Sequence, residues 1–390
     1  MFKLKNLKLL SVGIALFVSA VTQAATLIPA APKLAVSSFY LMDAQSGKII
    51  ASKNSDQRLP PASLTKMMTS YIVAHEISKG RVNLDDMVPV SVAAWKKGGS
   101  KMYIREGTKV KLSDLLKGVI IQSGNDASIA MAEYIAGSEE GFAELMNHQA
   151  KLLGMHDTQY MNATGWPAEG HYSTAKDLAI LGVAIARDFP KHYKIYSQKY
   201  FTYNNIRQPN RNKLLWADNS VDGLKTGHTE EAGYCLVASA VRKDMRLVSV
   251  VMGAQSEKAR AQESQKLLNY GFRFYQTHQL YQQGEEIHDA RVWSGVQDRL
   301  KLGLEQNLYV TIPRGEYANL KPSLELAGVI NAPVTEGQEL GLIRVMLEGE
   351  LVIEQPLISL ENIEEGGIVK RVSDSAERFF SETFDSMFSN

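Results

Sequence analysis

A serine and a lysine three positions apart are the first residues in this chain whose types and spacing indicate catalysis. Ser63 and Lys66 follow two prolines and begin a stretch in which apolar residues recur with helical spacing. One helical turn apart, the two side chains would share a face, so the lysine amine can reach the serine hydroxyl. A serine hydroxyl becomes a useful nucleophile when a base takes its proton, and a lysine can do so if burial or nearby positive charge lowers its pKa. Alone, the pair equally fits an N-cap serine followed by a solvated lysine.

A second polar motif, Ser123-Gly124-Asn125, lies sixty residues further along, between two segments with helical spacing. Glycine at its centre is suited to a tight turn that directs both flanking side chains into a cleft. Turns of this composition are also common at ordinary protein surfaces, so the motif by itself is weak.

The third motif, Lys225-Thr226-Gly227-His228, precedes a predicted strand at 233–241. A lysine and a hydroxyl at a strand edge, beside a glycine that leaves the backbone accessible, are suited to an extended peptide that ends in a carboxylate. An isolated Lys-Thr-Gly could be a surface turn. The order and spacing of the three motifs together make them specific.

The elements that must position these motifs follow from hydrophobic periodicity. Strands are predicted at 37–43, 48–52, 233–241 and 247–254, and helices at 62–75, 113–122, 126–136, 141–153, 174–187 and 257–275. Helices enclosed between strands from both ends of one segment predict a single mixed α/β domain over 25–275.

Beyond residue 275 the pattern changes to short alternating runs separated by Gly, Pro and Asn, at 290–293, 308–312, 340–347 and 350–354. These runs predict a small all-β sandwich over 276–367. Residues 368–390 predict an amphipathic helix that carries four phenylalanines, Phe379, Phe380, Phe384 and Phe388.

We expect this terminal helix to lie in a membrane interface, with docking on the β domain as the alternative. Residues 372–390 hold four acidic side chains against one arginine, Arg378. Attraction to anionic lipid would therefore be weak, and attachment would depend on the phenylalanines.

The first 24 residues have the pattern of an export signal. Three lysines precede an apolar stretch of about 13 residues, and small residues lead to a cleavage site after Ala24. The apolar stretch is shorter than the roughly 20 residues that a membrane-spanning helix needs. A single cysteine, Cys235, excludes an internal disulfide. Export without disulfides is typical of a large-core protein of a bacterial periplasm.

Composition excludes other classes of function. The 390 residues contain 43 Lys+Arg against 42 Asp+Glu, whereas a protein that coats nucleic acid needs a surplus of positive charge. The eight histidines form no His-Glu-x-x-His pair, and there is no cysteine cluster, so no metal or other cofactor is expected.

In their order and spacing the three motifs resemble the Ser-x-x-Lys, Ser-x-Asn and Lys-Thr-Gly set of the penicillin-recognising serine enzymes. The similarity extends around them, over 61–69, 123–127, 210–216 and 221–229. The sequence resembles the low-molecular-mass penicillin-binding proteins of peptidase family S11, the D-alanyl-D-alanine carboxypeptidases. This resemblance implies a β-lactamase/transpeptidase-like catalytic domain, an antiparallel sheet with helices.

The resemblance also implies a mechanism for removing the terminal D-alanine from peptidoglycan stem pentapeptides. Ser63 would attack the carbonyl of the penultimate D-alanine, with Lys66 as proton acceptor, and form an acyl-enzyme. The backbone N–H groups of Ser63 and His228 would form the oxyanion hole. Ser123 would relay a proton to the departing D-alanine, and water would release the shortened peptide.

The same resemblance assigns the substrate contacts. Asn125 would hold the substrate amide, and Lys225 and Thr226 would bind the terminal carboxylate in the motif that Gly227 completes. Arg211 would help, because its planar fork suits a carboxylate better than a second lysine would. The implied partners are a stem peptide ending in D-Ala-D-Ala, β-lactams that acylate the enzyme, and the outer face of the inner membrane.

Two related activities are the alternatives, a serine β-lactamase and a DD-endopeptidase. Class A β-lactamases activate the deacylating water with a glutamate about 35–40 residues after the second motif. The corresponding stretch here, 157–165, contains no glutamate. We therefore expect a long-lived penicilloyl-enzyme. A non-catalytic wall-binding or penicillin-sensing module is disfavoured by the complete set of motif residues.

Overall fold

The computed structural model of the protein describes residues 28–388, with side chains described as far as residue 380. The predicted export signal lies outside the described residues, as do the side chains of Phe384 and Phe388.

A five-stranded antiparallel sheet is the centre of the first domain. Across the sheet the strands are Ile49–Lys53, Ser38–Asp43, Met245–Ala254, Gly233–Arg242 and Val221–Thr229. Strands from both ends of the domain therefore meet at its middle. Neighbouring residues of the central strands alternate between two hydrophobic clusters, as Leu247 and Val248 do, because helices cover both faces of the sheet.

The helices of this domain lie almost entirely between the second and third strands in sequence. They are Lys66–Ser78, Val92–Lys96, Leu112–Lys117, Asn125–Ala136, Glu139–Leu152, Ala175–Asp188, Pro190–Tyr193 and Leu214–Ala217, followed after the last strand by Glu257–Phe274. Shorter turns are Ala62–Thr65, Gly118–Gln122 and Lys194–Ser197, and the two small hairpins pair Met87–Pro89 with Lys109–Lys111 and Tyr200–Tyr203 with Ile206–Pro209. Hydroxyl side chains at Ser138, Thr174 and Ser256 accept N–H bonds that begin three of the long helices.

The structure differs from the sequence prediction in the elements that carry the motifs. The predicted helix 62–75 begins as the 3₁₀ turn Ala62–Thr65 and becomes α-helical at Lys66. The predicted helix 113–122 ends in a π-helical turn, Gly118–Gln122. The third motif does not precede a strand but lies within one, Val221–Thr229, at the edge of the sheet.

The second domain is all-β, as predicted. Strand Tyr275–Tyr281 pairs with Leu308–Pro313, and a six-stranded sheet has the order Leu320–Leu326, Glu339–Leu347, Glu350–Ser359, Arg299–Gly303, His288–Trp293 and Ile330–Asn331. A short 3₁₀ turn, Tyr317–Asn319, precedes the first of these. Alternate apolar residues of the strands form one separate core.

Buried hydrogen bonds join the two domains. The Asp43 carboxylate accepts bonds from the Thr277 hydroxyl at 2.8 Å and from the backbone N–H of Ser46 at 2.8 Å. The hydroxyls of Ser46 and Thr311 are 2.6 Å apart, and those of Thr277 and Thr311 are 2.8 Å apart. Because Asp43 is fully buried, these bonds satisfy a charge that would be costly if unpaired.

The terminal helix, Ile368–Phe388, begins against the β domain. Asp374 is 2% exposed, and its carboxylate accepts a bond from the backbone N–H of Ser294 at 2.7 Å and from the Lys370 ammonium at 2.6 Å. Arg291 donates to Glu377 at 3.3 Å. Two acidic residues of the tail are thus paired with the protein's own N–H groups and cations.

The same helix exposes its first two phenylalanines. Phe379 is 66% exposed and Phe380 is 71% exposed. In the described part of the chain, none of the helices has the length and hydrophobicity to span a bilayer.

Candidate active site

The first motif folds so that its serine and lysine touch. Ser63 lies in the 3₁₀ turn, and Lys66 is the first residue of the long helix behind it. The Lys66 Nζ donates to Ser63 Oγ at 3.0 Å and to the backbone carbonyl of Thr164 at 2.5 Å. With only 1% of Lys66 exposed, both contacts are shielded from water.

Burial decides the protonation state of this lysine. Burial, aided by the positive charge of Arg211, lowers the pKa of Lys66 from 10.5 to about 7. The carboxylates of Asp126 and Glu139 act in the opposite direction. A large fraction of Lys66 is therefore a neutral amine near pH 7, as a general base must be.

The second motif contributes a hydroxyl and an amide to the same cleft. Ser123 ends the π-helical turn in the left-handed region at φ 67°. Its hydroxyl is buried and has no hydrogen-bond partner among the described residues. Asn125 begins the next helix and donates from Nδ2 to the carbonyl of Gly98 at 2.8 Å.

The glycine of this motif is needed for close approach rather than for an unusual turn. Gly124 has a negative φ of −60°, whereas Ser123 takes the left-handed conformation. A Cβ on Gly124 would lie 2.9 Å from the Asp126 carboxylate and 3.1 Å from the backbone nitrogen of Met102. Asp126 itself accepts backbone N–H bonds at 2.9 Å from Met102 and from Tyr103, so it attaches the preceding loop to the motif.

The third motif lies along the edge strand, next to the nucleophile. Lys225 is buried, and burial together with the charges of Lys66 and Arg211 lowers its pKa well below the ordinary value. Thr226 is also buried. A Cβ on Gly227 would lie 3.0 Å from the carbonyl of Pro61, so only glycine allows the strand to approach the nucleophile turn this closely.

The remaining two predicted residues lie at the rim. Arg211 is exposed and donates from Nε to the carbonyl of Gln122 at 3.0 Å, beside the second motif. His228 is exposed, and its ring packs on Tyr234 with centroids 4.0 Å apart. Since the strand that carries His228 is at the sheet edge, the backbone on its free side is available to a ligand.

Sequence reasoning missed the residues that act through their backbone or from a distance. Thr164 contributes only its carbonyl, which no side-chain pattern reveals. Arg260 is a buried residue of the helix Glu257–Phe274 and donates to the carbonyl of Gly227 at 3.2 Å. A charged residue on the apolar face of that helix is the signal that could have identified it. Cys235 is completely buried, and burial raises the pKa of its thiol to about 11.

A groove of about 610 Å³ opens directly beside the nucleophile. Its walls include Ala62, which precedes Ser63, and Thr229, which follows His228. A half-buried serine bonded to a buried lysine beside such a groove, with two further basic residues nearby, is suited to acyl transfer on a peptide that carries a negative charge.

Comparison with known proteins agrees with this chemistry. The sequence pattern of the peptidase S11 family, described as D-alanyl-D-alanine carboxypeptidase, matches residues 25–256. The C-terminal domain of penicillin-binding protein 5 matches residues 275–365. The chain belongs to the S11 family of D-alanyl-D-alanine carboxypeptidases.

Individual relatives of this family are similar over nearly the whole chain. The D-alanyl-D-alanine carboxypeptidase DacC of Escherichia coli K12 is 47% identical, covering 92% of both chains. The crystal structure of penicillin-binding protein 5 from Haemophilus influenzae is 42% identical with a TM-score of 0.83, covering 86% of this chain and 100% of that one. Penicillin-binding protein D2 from Listeria monocytogenes, in its ampicillin-bound form, is 28% identical with a TM-score of 0.58, covering 63% and 100%.

Family membership confirms the predicted fold class, the mixed α/β transpeptidase-like domain with a C-terminal β domain. It also confirms the predicted activity, that of a serine-type D-alanyl-D-alanine carboxypeptidase acting on peptidoglycan. The comparisons do not favour the serine β-lactamase or the DD-endopeptidase.

Proposed function

We propose that the carboxypeptidase reaction proceeds through an acyl-enzyme on Ser63. Its Oγ bonds to the carbonyl carbon of the penultimate D-alanine as its proton passes to the neutral amine of Lys66. The C–N bond to the last D-alanine then breaks, and the Ser123 hydroxyl relays the proton from the Lys66 ammonium to the leaving amine. Water hydrolyses the ester and releases the shortened stem peptide. The observation that carries this proposal is the buried Lys66 Nζ, 3.0 Å from Ser63 Oγ.

Charge and hydrogen bonding support the substrate assignments. The positive charge of Arg211 lowers the pKa of both Lys66 and Lys225, so these side chains lie close together. Arg211 and Lys225 form one basic region for the terminal carboxylate, with the Thr226 hydroxyl beside it. Asn125 is held by Gly98 and is available to a substrate amide.

We propose that the oxyanion hole consists of two backbone N–H groups, those of Ser63 and His228. Gly227, which precedes His228, is in contact with the turn that carries Ser63, so the two segments lie side by side. Fixed N–H donors of this kind stabilise the tetrahedral intermediate.

We expect benzylpenicillin to label the protein at Ser63. Because the penicilloyl ester is the counterpart of the acyl-enzyme, digestion with trypsin after Arg58 and Lys66 should yield the 59–66 peptide with one penicilloyl adduct, and fragmentation should assign it to Ser63 rather than Thr65. The hydroxyl of Thr65 is bonded to His171 at 2.9 Å and faces away from the lysine base. An adduct on any other peptide would contradict the assignment.

The lifetime of that adduct distinguishes a carboxypeptidase from a β-lactamase. Residues 157–165 contain no glutamate, and the nearby Glu139 carboxylate accepts the backbone N–H of Ala163 at 3.0 Å. We therefore expect the adduct to persist. Rapid, multiple-turnover hydrolysis of a chromogenic cephalosporin would favour the β-lactamase instead.

We propose that the mature protein is periplasmic and peripheral on the outer face of the inner membrane, with the helix from residue 368 at the bilayer surface. The predicted signal over 1–24 supports export. The exposed rings of Phe379 and Phe380 support attachment, because an aromatic ring at a bilayer interface removes apolar surface from water.

Attachment should resist salt and depend on the phenylalanines. The full chain is incubated with phosphatidylcholine vesicles and sedimented with and without about 1 M NaCl, at which exposed charges are screened beyond about 3 Å. We expect the wild type to sediment in both, and Phe379→Ser combined with Phe380→Ser to remain largely in the supernatant. Val329→Ser removes an exposed apolar side chain from the β domain and should change nothing. Release of the wild type by salt alone would refute an apolar anchor.

A further inference from the structure

The carbonyl that contacts the catalytic lysine belongs to a loop organised by one buried side chain. Asn162 is 8% exposed, and its Oδ1 accepts the backbone N–H groups of Thr164 at 3.1 Å, Gly165 at 2.8 Å and Trp166 at 3.1 Å. The same Oδ1 accepts the Thr164 hydroxyl at 2.9 Å, and Nδ2 donates to the carbonyl of Trp166 at 2.9 Å. One amide thus satisfies the polar groups of the whole turn.

The position of this turn matters because of what a neutral lysine must do. An amine has two N–H donors and one lone pair, and only the lone pair can accept the proton of Ser63. When one N–H of Lys66 donates to the Thr164 carbonyl at 2.5 Å, the nitrogen cannot rotate freely. The carbonyl therefore directs the lone pair toward Ser63 Oγ, 3.0 Å away.

We propose that Asn162 is a positioning residue for catalysis, which orients the lone pair of Lys66 by holding the carbonyl of Thr164 against it. The proposal goes beyond the three motifs, and it depends on the proposed role of Lys66 as the base. During acylation, the proton moves from Ser63 Oγ to Lys66 Nζ while the Oγ–carbon bond forms, and the Thr164 carbonyl continues to accept from the same nitrogen.

A neutral histidine also attaches the loop to the 3₁₀ turn that carries Ser63. His171 lies beside Asn162, whose Nδ2 is 3.3 Å from its Nδ1, and the backbone N–H of Met161 also donates to that Nδ1 at 3.3 Å. The other ring nitrogen, Nε2, then carries the proton and donates to the Thr65 hydroxyl at 2.9 Å. Burial, aided by the charge of Lys66, lowers the pKa of His171 to about 4, so this connection adds no positive charge at neutral pH.

The backbone conformation and the close packing of this turn are tightly constrained at Gly165. Gly165 has a φ of +78°, and a Cβ there would lie 1.8 Å from the carbonyl of Ala62, directly before the nucleophile. A loop packed this closely on Ala62 transmits a displacement of Asn162 to the catalytic pair. A displacement of about 1 Å in reacting groups can cost about 100-fold in rate.

The test measures the rate of acylation by benzylpenicillin from pH 5 to 10 for wild type, Asn162→Ala, Asn162→Asp and Asn147→Ala. Asn147 is the matched control, since it holds an earlier part of the same loop through two bonds with the backbone of Tyr160, at 2.7 and 2.8 Å, and does not approach Lys66. We expect Asn162→Ala to lower the plateau rate about 100-fold. The acid limb of its pH profile should also move to higher pH, because water admitted to Lys66 reverses the burial that lowers its pKa.

Asn162→Asp keeps an oxygen acceptor for the turn and adds a negative charge. Its plateau should stay within about tenfold of wild type, whereas its acid limb should move to higher pH because a carboxylate favours the ammonium form of Lys66. Asn147→Ala should keep both the plateau and the limb, even where its thermal stability falls.

The proposal is overturned if Asn162→Ala keeps the wild-type plateau and limb, or changes them only as Asn147→Ala does. If Asn162→Ala does not fold, Asn162→Asp decides, since loss of its plateau would contradict a role based on the oxygen acceptor. A failure of the proposed function is distinct, because it would appear as unchanged acylation when Lys66 itself is replaced.

Discussion

Ser63→Ala should lose both D-alanine release and covalent penicillin labelling, with the rest of the site intact. The substitution removes the only atom that forms the ester and leaves Lys66 with no hydroxyl to deprotonate. In serine hydrolases, loss of the nucleophile costs about 10⁶-fold in kcat, which places the remaining activity below detection. Free D-alanine released from a peptide ending in D-Ala-D-Ala and the mass of the protein after incubation with penicillin measure the two losses separately.

A serine at the far end of the helix that Lys66 begins provides the control. Ser78 is the last residue of that helix, and its hydroxyl donates to the carbonyl of His75 at 2.7 Å, far from the cleft. Ser78→Ala should keep full activity and full labelling. Covalent labelling of Ser63→Ala would show that the nucleophile lies elsewhere.

Lys66→Arg should keep N–H donors at this position and lose the base. A guanidinium stays protonated at all accessible pH values, so it cannot take the Ser63 proton. Since general base catalysis contributes about 10²–10⁴-fold, we expect acylation to fall by about 1,000-fold. The matched control is Lys97→Arg, because Lys97 also acts electrostatically on Lys66 but lies over the ring of Trp166, where arginine can substitute.

The pH dependence of the wild type follows from the same lysine. The proposed base is the neutral amine of Lys66, whose pKa is about 7, so acylation should rise as the pH increases through about 7 and fall below it. Without burial the limb would be centred near 10.5. The rate constant of penicillin acylation, measured from pH 5 to 10, checks this. A rate in Lys66→Arg equal to wild type, or a limb near 10, would contradict the role of Lys66.

Much of the fold was predictable from local pattern. The predicted strands 233–241 and 247–254 and the predicted helix 174–187 match the observed Gly233–Arg242, Met245–Ala254 and Ala175–Asp188 to within two residues. These segments carry strong periodicity, and the helix begins at a hydroxyl cap at Thr174. The strands Arg299–Gly303 and Leu320–Leu326 were not predicted, because they are short and their pairing depends on neighbours distant in sequence.

The sequence motifs predicted the reactive side chains of the site but not the backbone groups that contact them. Ser63 and Lys66 are in contact, and Lys225 lies close enough for the charge of Lys66 to lower its pKa. The Thr164 carbonyl was invisible because every residue has one, and its importance depends on where it points. The left-handed conformation of Ser123 was also not predicted. The glycine of the motif, Gly124, is instead required for close packing against a loop distant in sequence.

In the terminal helix, too, the sequence gives the composition and the structure gives the contacts. Its four acidic residues and its phenylalanines can be counted in the sequence, and they indicate attachment through apolar groups. That Asp374 is buried against Ser294, and that Glu377 meets Arg291, depends on residues about eighty positions earlier in the chain. The acidic side chains of the helix are thus partly used within the protein.

The sequence by itself determined which chemical groups are available, namely a hydroxyl nucleophile, an amine and cations for a carboxylate, and it determined their order. Only the tertiary structure decided that the amine is a base. A lysine in water has a pKa near 10.5 and is an ammonium ion at neutral pH. Lys66 becomes a neutral amine because a turn, a helix and a loop about one hundred residues apart in sequence together exclude water from it.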